Sequence, residues 1–238
     1  MNIAERSHQL LHPSVFAKAA RNVIEVPHDV DCPSDQYILR MMIKRPDDGG
    51  FTIPDRLLWL LPTIEMTWRI QSHCFVKHPF CYVTVRCGEV KSVTDDEWHV
   101  DGFSMRIPHV PEQNYIWSDS YSTEVLDQQF IIPDDFDPLK HNLHQFFQDR
   151  ADLSKVRQLK EKHIAFIDPY IVHRRRNDIP PGTLRCFFRI SYVPIEIKDD
   201  ACTPNPHLPN VAYNSKDYRH SLIRYNSATY LQNTEYTV

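Results

Sequence analysis

The chain has 238 residues, 42% of them hydrophobic and 24% charged, with a formal net charge of −4. That length suits one sizeable core and makes a single domain the default, and the mild acidity argues against nonspecific nucleic-acid binding through bulk charge. No charged-then-apolar leader and no apolar run near 18 residues is evident, so neither secretion nor a membrane span is expected.

Prolines number 18 and glycines 5, so the loops should be stiff and owe their turns to Pro, Asn and Asp. Residues 5–23, with Leu10, Leu11, Phe16, Ala19, Ala20 and Val23 at helical spacing, predict one or two helices broken at Pro13 and packed on a sheet. The stretch Gln36 to Lys44 is apolar but of undecided type, and Arg45 to Gly50 closes it with a turn signal. Pro54 to Leu61 reads as a short helix with Pro at its start, and Thr63 to Ile70 is ambiguous.

From Pro79 the pattern changes to strands. Phe80 to Cys87 alternates Cys81, Val83, Val85 and Cys87 with Tyr82, Thr84 and Arg86. The polar row reads as solvent-facing or, in a barrel, as pocket lining that would bring Arg86 to a substrate. A strand over 97–107 comes next. Two further strands, Asn114 to Trp117 and Ser122 to Ile132, flank the turn at Ser118 to Ser120, and Asn142 to Asp149 is an amphipathic helix. Lys155 to His163 is a charged run, of which Lys155 to Lys162 is expected to be a solvated helix or loop and not a binding patch. Ile164 to Asp168 and Tyr170 to Val172 are apolar, Leu184 to Ile197 is a long strand, and the remainder is a tail or lid. The six cysteines, Cys32, Cys74, Cys81, Cys87, Cys186 and Cys202, have no CxxC spacing and read as reduced thiols of a cytoplasmic protein.

The chemistry concentrates in Glu97-Trp98-His99-Val100-Asp101-Gly102-Phe103. Along a strand successive side chains alternate, so His99 and Asp101 share one face while Trp98 and Val100 share the other. An imidazole and a carboxylate converging from one element make half a metal site, and His173, after Tyr170-Ile171-Val172, is the best third ligand. Two His and one carboxylate suit non-haem Fe(II). A lone His-x-Asp is weak, since 13 His and 31 acidic residues produce such pairs by chance. His163 is an alternative third ligand. His141 and His144 are a helical pair without an evident carboxylate partner, and read as surface residues. Downstream, Arg185, Phe187, Arg189 and Ser191 share one strand face, so one or two guanidiniums would look into the same cavity, a geometry suited to a carboxylate.

On these residues, roughly 79 to 197 of the chain resembles the Fe(II)/2-oxoglutarate-dependent dioxygenases: the His-x-Asp at His99 and Asp101, the distal His173, and a later Arg with Arg-x-Ser at Arg189 to Ser191. The resemblance implies a mainly β fold with flanking α-helices, a double-stranded β-helix (jelly roll, cupin-like). It would form a single dioxygenase domain over 1–238, with a mainly helical N-terminal support (1–78), the barrel core (79–197) and a C-terminal tail or lid (198–238). It implies Fe(II) on His99, Asp101 and His173, with 2-oxoglutarate and O2 as cosubstrates. Arg185, twelve residues past His173, fits the family's spacing for the far carboxylate of 2-oxoglutarate better than Arg189 at sixteen, although Arg189 and Ser191 carry the Arg-x-Ser pattern. Arg189 would then face substrate.

The implied reaction is hydroxylation of an aliphatic C–H of a small molecule, such as an amino acid or biosynthetic intermediate, with succinate and CO2 as co-products. Tyr115, Trp117 and Thr123 would line the cavity, Glu124 would fix a substrate amine, and Arg174 to Arg176 would dock an anionic substrate at the mouth or simply be solvated. The competing readings are a non-catalytic jelly-roll binding protein and a cupin-type metal-dependent isomerase or hydrolase, which fold alone does not separate.

Overall fold

The computed structural model describes residues 23–74, 78–91, 97–101, 112–133, 135–136, 141–194, 196–197 and 202–208. Among these the protein is mainly β, with two antiparallel sheets and few helices. The centre of the large sheet is the pairing of β3 (Phe80–Glu89) with β9 (Leu184–Val193), in register from Phe80 opposite Val193 to Glu89 opposite Leu184. Both are long runs of β-branched and aromatic residues, which fit a pleated, buried surface. β4 (Gln113–Ser118) pairs with the other edge of β9, β7 (His163–Ile167) with β4, and β1 (Ile24–Pro27) with β7, while β2 (Gln36–Lys44) pairs with β3. The order is β1-β7-β4-β9-β3-β2.

The small sheet has the order β6-β5-β8, from Val156–Gln158, Glu124–Leu126 and His173–Arg174. An isolated bridge extends it by pairing His99 with His173. From β3 onward the chain visits the large sheet, the small one at His99, the large at β4, the small at β5 and β6, the large at β7, the small at β8 and the large at β9. Ile116, Ala165 and Ile167 of the large sheet form one hydrophobic cluster with Val125 of the small one.

The alternation along β9 sorts its two faces. Cys186, Phe188, Ile190 and Tyr192 join Val83, Val85, Tyr115 and Trp117 in a core cluster that also holds Leu57, Leu60 and Ile64. Those three come from the 3-10 turn Asp55–Leu60 and helix α1 (Leu61–Cys74). Trp117 stacks on Phe188 with ring centroids 5.1 Å apart, and its indole N–H donates to the His28 carbonyl at 2.7 Å. The opposite face of β9 carries Arg185, Phe187 and Arg189 into a cavity. Helix α2 (Leu143–Arg150) starts at Asn142, whose side chain accepts from the amides of His144 and Gln145. It buries Leu143, Phe146 and Phe147 against Trp98 and Val100.

Several elements differ from expectation. Gln36 to Lys44, undecided by pattern, is a strand whose register shifts twice, between Ile38 and Met41 and again between Met42 and Lys44. A bulge breaks the period-two signal, and Arg40 sits there at φ 44°. Residues 1–78 are thus not helical support alone, because their described part adds β1 and β2 to the large sheet. The charged run at 155–163 contains β6, an edge strand of the small sheet whose one charged residue, Arg157, pairs with Glu25. Ser122 to Ile132 yields only the three residues of β5 as strand. The proposed strand over 97–107 is represented by the His99 bridge, its residues 102–107 lying outside the described ones. The helices expected at 5–23, except Val23, and the tail or lid beyond 208 also lie outside them.

Cys87 and Cys186, expected as free thiols, are joined by a disulfide across the β3–β9 ladder. They face each other directly, and the backbone amide and carbonyl of Cys186 bond to Asp119, so the pair is a non-hydrogen-bonded one in which side chains approach closely. Cys32, Cys81 and Cys202 are thiols. No helix among the described residues is long and apolar enough to cross a membrane.

Candidate metal centre

Trp98 and Val100 are almost wholly buried under α2, which turns His99 and Asp101 the other way. The backbones of His99 and His173 exchange two N–H to carbonyl bonds, each 2.9 Å, and their ring centroids lie 4.6 Å apart. The Nδ1 of His99 lies 2.7 Å from the Glu97 carbonyl and that of His173 lies 2.8 Å from the Ile171 carbonyl. A carbonyl only accepts, so both Nδ1 atoms carry the proton and both Nε2 lone pairs point at the site. His173 Nε2 is 3.4 Å from Asp101 Oδ2. One ligand atom from each of His99, Asp101 and His173 falls within 4.8 Å of the others. Two imidazole nitrogens and one carboxylate oxygen fit a divalent transition metal of the Fe(II) type, with the ring N–H groups already anchored to backbone carbonyls.

The carboxylate is held from behind. Asn114 Nδ2 donates to Asp101 Oδ2 at 2.6 Å, Ser191 Oγ donates to Asn114 Oδ1 at 2.5 Å, and Arg189 Nη1 donates to Asp101 Oδ1 at 3.0 Å. Burial alone would raise the carboxyl pKa, but the Arg189 charge, followed by His173, holds it well below the usual range. Burial and then the neighbouring His173 push the His99 imidazole down to about 4, against a smaller opposing pull from Asp101.

The His99 shift has a consequence for pH. A folded-state pKa of about 4 against 6.5 in the unfolded chain means that protons bind the unfolded state preferentially between those values. The stability that the neutral ring secures is complete above pH 6.5 and is lost as the pH falls towards 4. Metal-free wild type should therefore lose about 3 kcal/mol more than His99→Gln across that window. Denaturant midpoints measured in chelator would check this, and parallel declines in the two proteins would contradict it.

His99, Asp101 and His173 line a cavity of about 280 Å³. Thr84, Arg86, Ile116, Phe187 and Arg189 reach it from the large sheet, and Thr123, His173 and Arg174 from or beside the small one. Arg86 is therefore a cavity residue, not part of a solvent-facing row. Arg185 is 8% exposed, donates from Nε to the Ser120 carbonyl at 3.0 Å and lies over the Phe187 ring. Burial, followed by the Arg175 charge, lowers its pKa to about 10. Arg189 and Ser191 belong to the support of Asp101, directly and through Asn114.

Other expected residues lie elsewhere. Tyr115 and Trp117 do not line the cavity, which corrects that expectation. They face the helix-covered core, and period two gives the cavity Ile116 instead. Glu124 is occupied by Arg174, at 2.7 Å, whose guanidinium also lies 4.2 Å over the Trp98 ring. His163 starts β7 opposite Pro27 and is not among the cavity residues. His141 is exposed, whereas His144, expected at the surface, is half-buried with its ring centroid 5.7 Å from that of His99. Pattern reading missed Asn114 and Arg40. Asn114, 1% exposed, carries no spacing signal because its role depends on β4 lying beside β9. Arg40 enters the cavity lining from the β2 bulge and pairs with Glu112 at 2.8 Å.

No family model and no curated protein matches the chain. Among solved structures, the crystal structure of AviO1 from Streptomyces viridochromogenes Tue57 aligns over 86% of this chain and 87% of that one, at 16% identity and a TM-score of 0.36.

Proposed function

We propose that this protein is an Fe(II)- and 2-oxoglutarate-dependent dioxygenase that hydroxylates an aliphatic C–H of a small molecule. The observation that carries the reading is the convergence of His99, Asp101 and His173 within 4.8 Å at the wall of an arginine-lined cavity. The path of the chain supports a double-stranded β-helix, since from β3 to β9 it alternates between two sheets in the way a jelly roll requires. A buried arginine in reach of the same cavity favours a carboxylate cosubstrate over a bare cupin metal site.

The roles follow from the contacts. His99 and His173 offer Nε2, and Asp101 offers a carboxylate that Arg189 and Asn114 keep charged and oriented. Arg189 is committed to Asp101, which leaves Arg185 for the far carboxylate of 2-oxoglutarate. Ile116 and Phe187 supply apolar wall that limits water near the target C–H. When bound, iron, 2-oxoglutarate and O2 would supply the oxidising power, with succinate and CO2 as co-products.

The test is anaerobic Fe(II) titration with and without 2-oxoglutarate, following the weak visible charge-transfer band of the chelate. A band that needs both additions is expected; its absence in wild type at every loading would overturn the reading. In the same assay Arg185→Gln should weaken 2-oxoglutarate about 10- to 100-fold, the loss of one charge-assisted pair, with Fe(II) affinity retained. Unchanged 2-oxoglutarate affinity in Arg185→Gln, with a loss in Arg189→Gln, would exchange the two roles.

A further inference from the structure

The first register shift of β2 against β3 leaves Leu39 and Arg40 together opposite Thr84, and Leu39 turns its backbone to the C-terminal segment over 202–208. The Thr203 amide donates to the Leu39 carbonyl at 2.7 Å, and the Leu39 amide donates to Thr203 Oγ1 at 2.9 Å. Asn205 Nδ2 donates to the carbonyls of Met42, at the second shift, and of Thr52, each at 2.8 Å. Arg40 stands at φ 44°, a left-handed conformation that a residue with a side chain keeps only where its surroundings impose it, and its amide donates to Thr84 Oγ1 at 3.1 Å. Leu39, Arg40 and Thr84 all line the metal cavity, so the segment 202–208 helps to fix one wall of it.

The side chain of Arg40 carries that placement across the sheet. Its Nη1 donates to Glu112 Oε1 at 2.8 Å, although Arg40 is on β2, Glu112 immediately precedes β4, and β3 and β9 lie between those two strands. Glu112, Asn114 and Ile116 alternate onto one face, and Asn114 is the donor that holds Asp101 Oδ2 at 2.6 Å. Glu112 is 2% exposed, so the pair is a buried ionic tie. The charge of Glu112 first, and that of Asp101 after it, raise the Arg40 pKa above its usual value against the opposing effect of burial, which puts the guanidinium within electrostatic range of the metal carboxylate. We propose that Arg40 and Glu112 brace β4 and, through Asn114, the ligand Asp101, and that Thr203 and Asn205 are positioning residues of the metal centre because they hold the bulge from which Arg40 reaches across. The inference rests on Asp101 as a metal ligand and is independent of 2-oxoglutarate. It makes the segment 202–208 a working part of the site.

The experiment compares full-length wild type, Thr203→Val, Thr203→Ser, Arg40→Gln and the Thr203→Val/Arg40→Gln double variant by two measurements. In the metal-free, isotope-labelled protein, NMR follows the Asn114 side-chain amide, whose hydrogen-bonded proton should be slow to exchange in wild type. Titration with Co(II), read from its visible absorption, then measures metal affinity. Thr203→Val should speed exchange of the Asn114 proton and weaken Co(II) about threefold, and Arg40→Gln should weaken it about tenfold, the lower end of what loss of an outer-shell partner costs. Thr203→Ser keeps the acceptor for the Leu39 amide and should restore both values. The double variant should bind no more weakly than Arg40→Gln alone, because Thr203 acts through Arg40. Thr203 is half-buried, so its variants keep the test informative if Arg40→Gln, which strands the Glu112 charge, fails to fold. The proposal is overturned if Thr203→Val leaves the Asn114 proton, or a Co(II) affinity found in wild type, unchanged, if Thr203→Ser behaves as Thr203→Val does, or if the two substitutions add in full. Failure of the metal-centre reading would register separately, as wild type that takes up no Co(II), while the Asn114 proton still judges the brace.

Discussion

Asp101→Ala is expected to abolish the charge-transfer band of the Fe(II)·2-oxoglutarate complex and to lower the stability of the metal-free protein by about 3 kcal/mol. The two effects have separate causes. The first is loss of the only carboxylate that lines the cavity among the described residues, which leaves two imidazoles from a bridged pair of residues. The second comes from the groups left behind: the guanidinium of Arg189, with 16% of its side chain exposed, loses its 3.0 Å partner, and Asn114 loses the acceptor for its 2.6 Å bond. Removing one member of a buried ion pair costs more than the pair is worth, because the remaining charge stays desolvated. Asp101→Asn separates the causes. It keeps an acceptor for Arg189 and should lose the band with a smaller stability cost. Retention of the band in Asp101→Ala would remove this residue from the ligand set, and an unchanged denaturation midpoint would mean that Arg189 finds another counterion.

The second large effect is expected from Trp98→Ala, a loss of about 3–5 kcal/mol in stability together with a 10- to 100-fold loss in Fe(II) affinity. Trp98 is fully buried beside Phe147, Leu126 and Val172, under the Arg174 guanidinium, and its amide donates to Gln148 of α2 at 3.2 Å. Its side chain is the reason His99 and Asp101 face the cavity, since the packed face of a strand segment determines where the other face points. Cavity formation accounts for the stability loss, and loosening of His99 for the metal affinity. Trp98→Phe, which refills most of the space, should recover most of both. Equilibrium unfolding and Fe(II) titration on the same preparations would measure them, and full Fe(II) affinity in a destabilised Trp98→Ala would show that the His99–His173 bridge alone positions the imidazole.

How much of this was legible beforehand depends on the range of the interactions involved. Local periodicity was enough for β3, β4 and β9, for the helix beginning at Asn142, and for the placing of His99 and Asp101 on one face opposite Trp98 and Val100, because those features depend on residues two to four apart. It failed at β2, where two bulges break the alternation, and at β6, a three-residue strand set in a charged run that looks like a loop. The face of β4 was also misassigned. Tyr115 and Trp117 alternate correctly with Ile116, but nothing local says which face meets the helix-covered core and which the cavity; that follows from the register of β4 against β9, where Ile116 lies opposite Arg189 and Trp117 opposite Phe188.

The amino-acid sequence by itself determined the mainly β character, the candidate ligands His99, Asp101 and His173, and the row of arginines on one face of β9. The tertiary structure decided what those residues do to one another. Pairing residues 72 positions apart, Asp101 and His173, is a matter of strand neighbours, as is the choice of Arg189 and Asn114 as the supports of the carboxylate. The joining of Cys87 to Cys186 across 99 residues and the meeting of Arg86, Arg175 and Arg185 in the lining of one cavity are likewise products of sheet order. Strand pairing is set by burial and register over the whole chain, and neither is encoded in any short stretch of it.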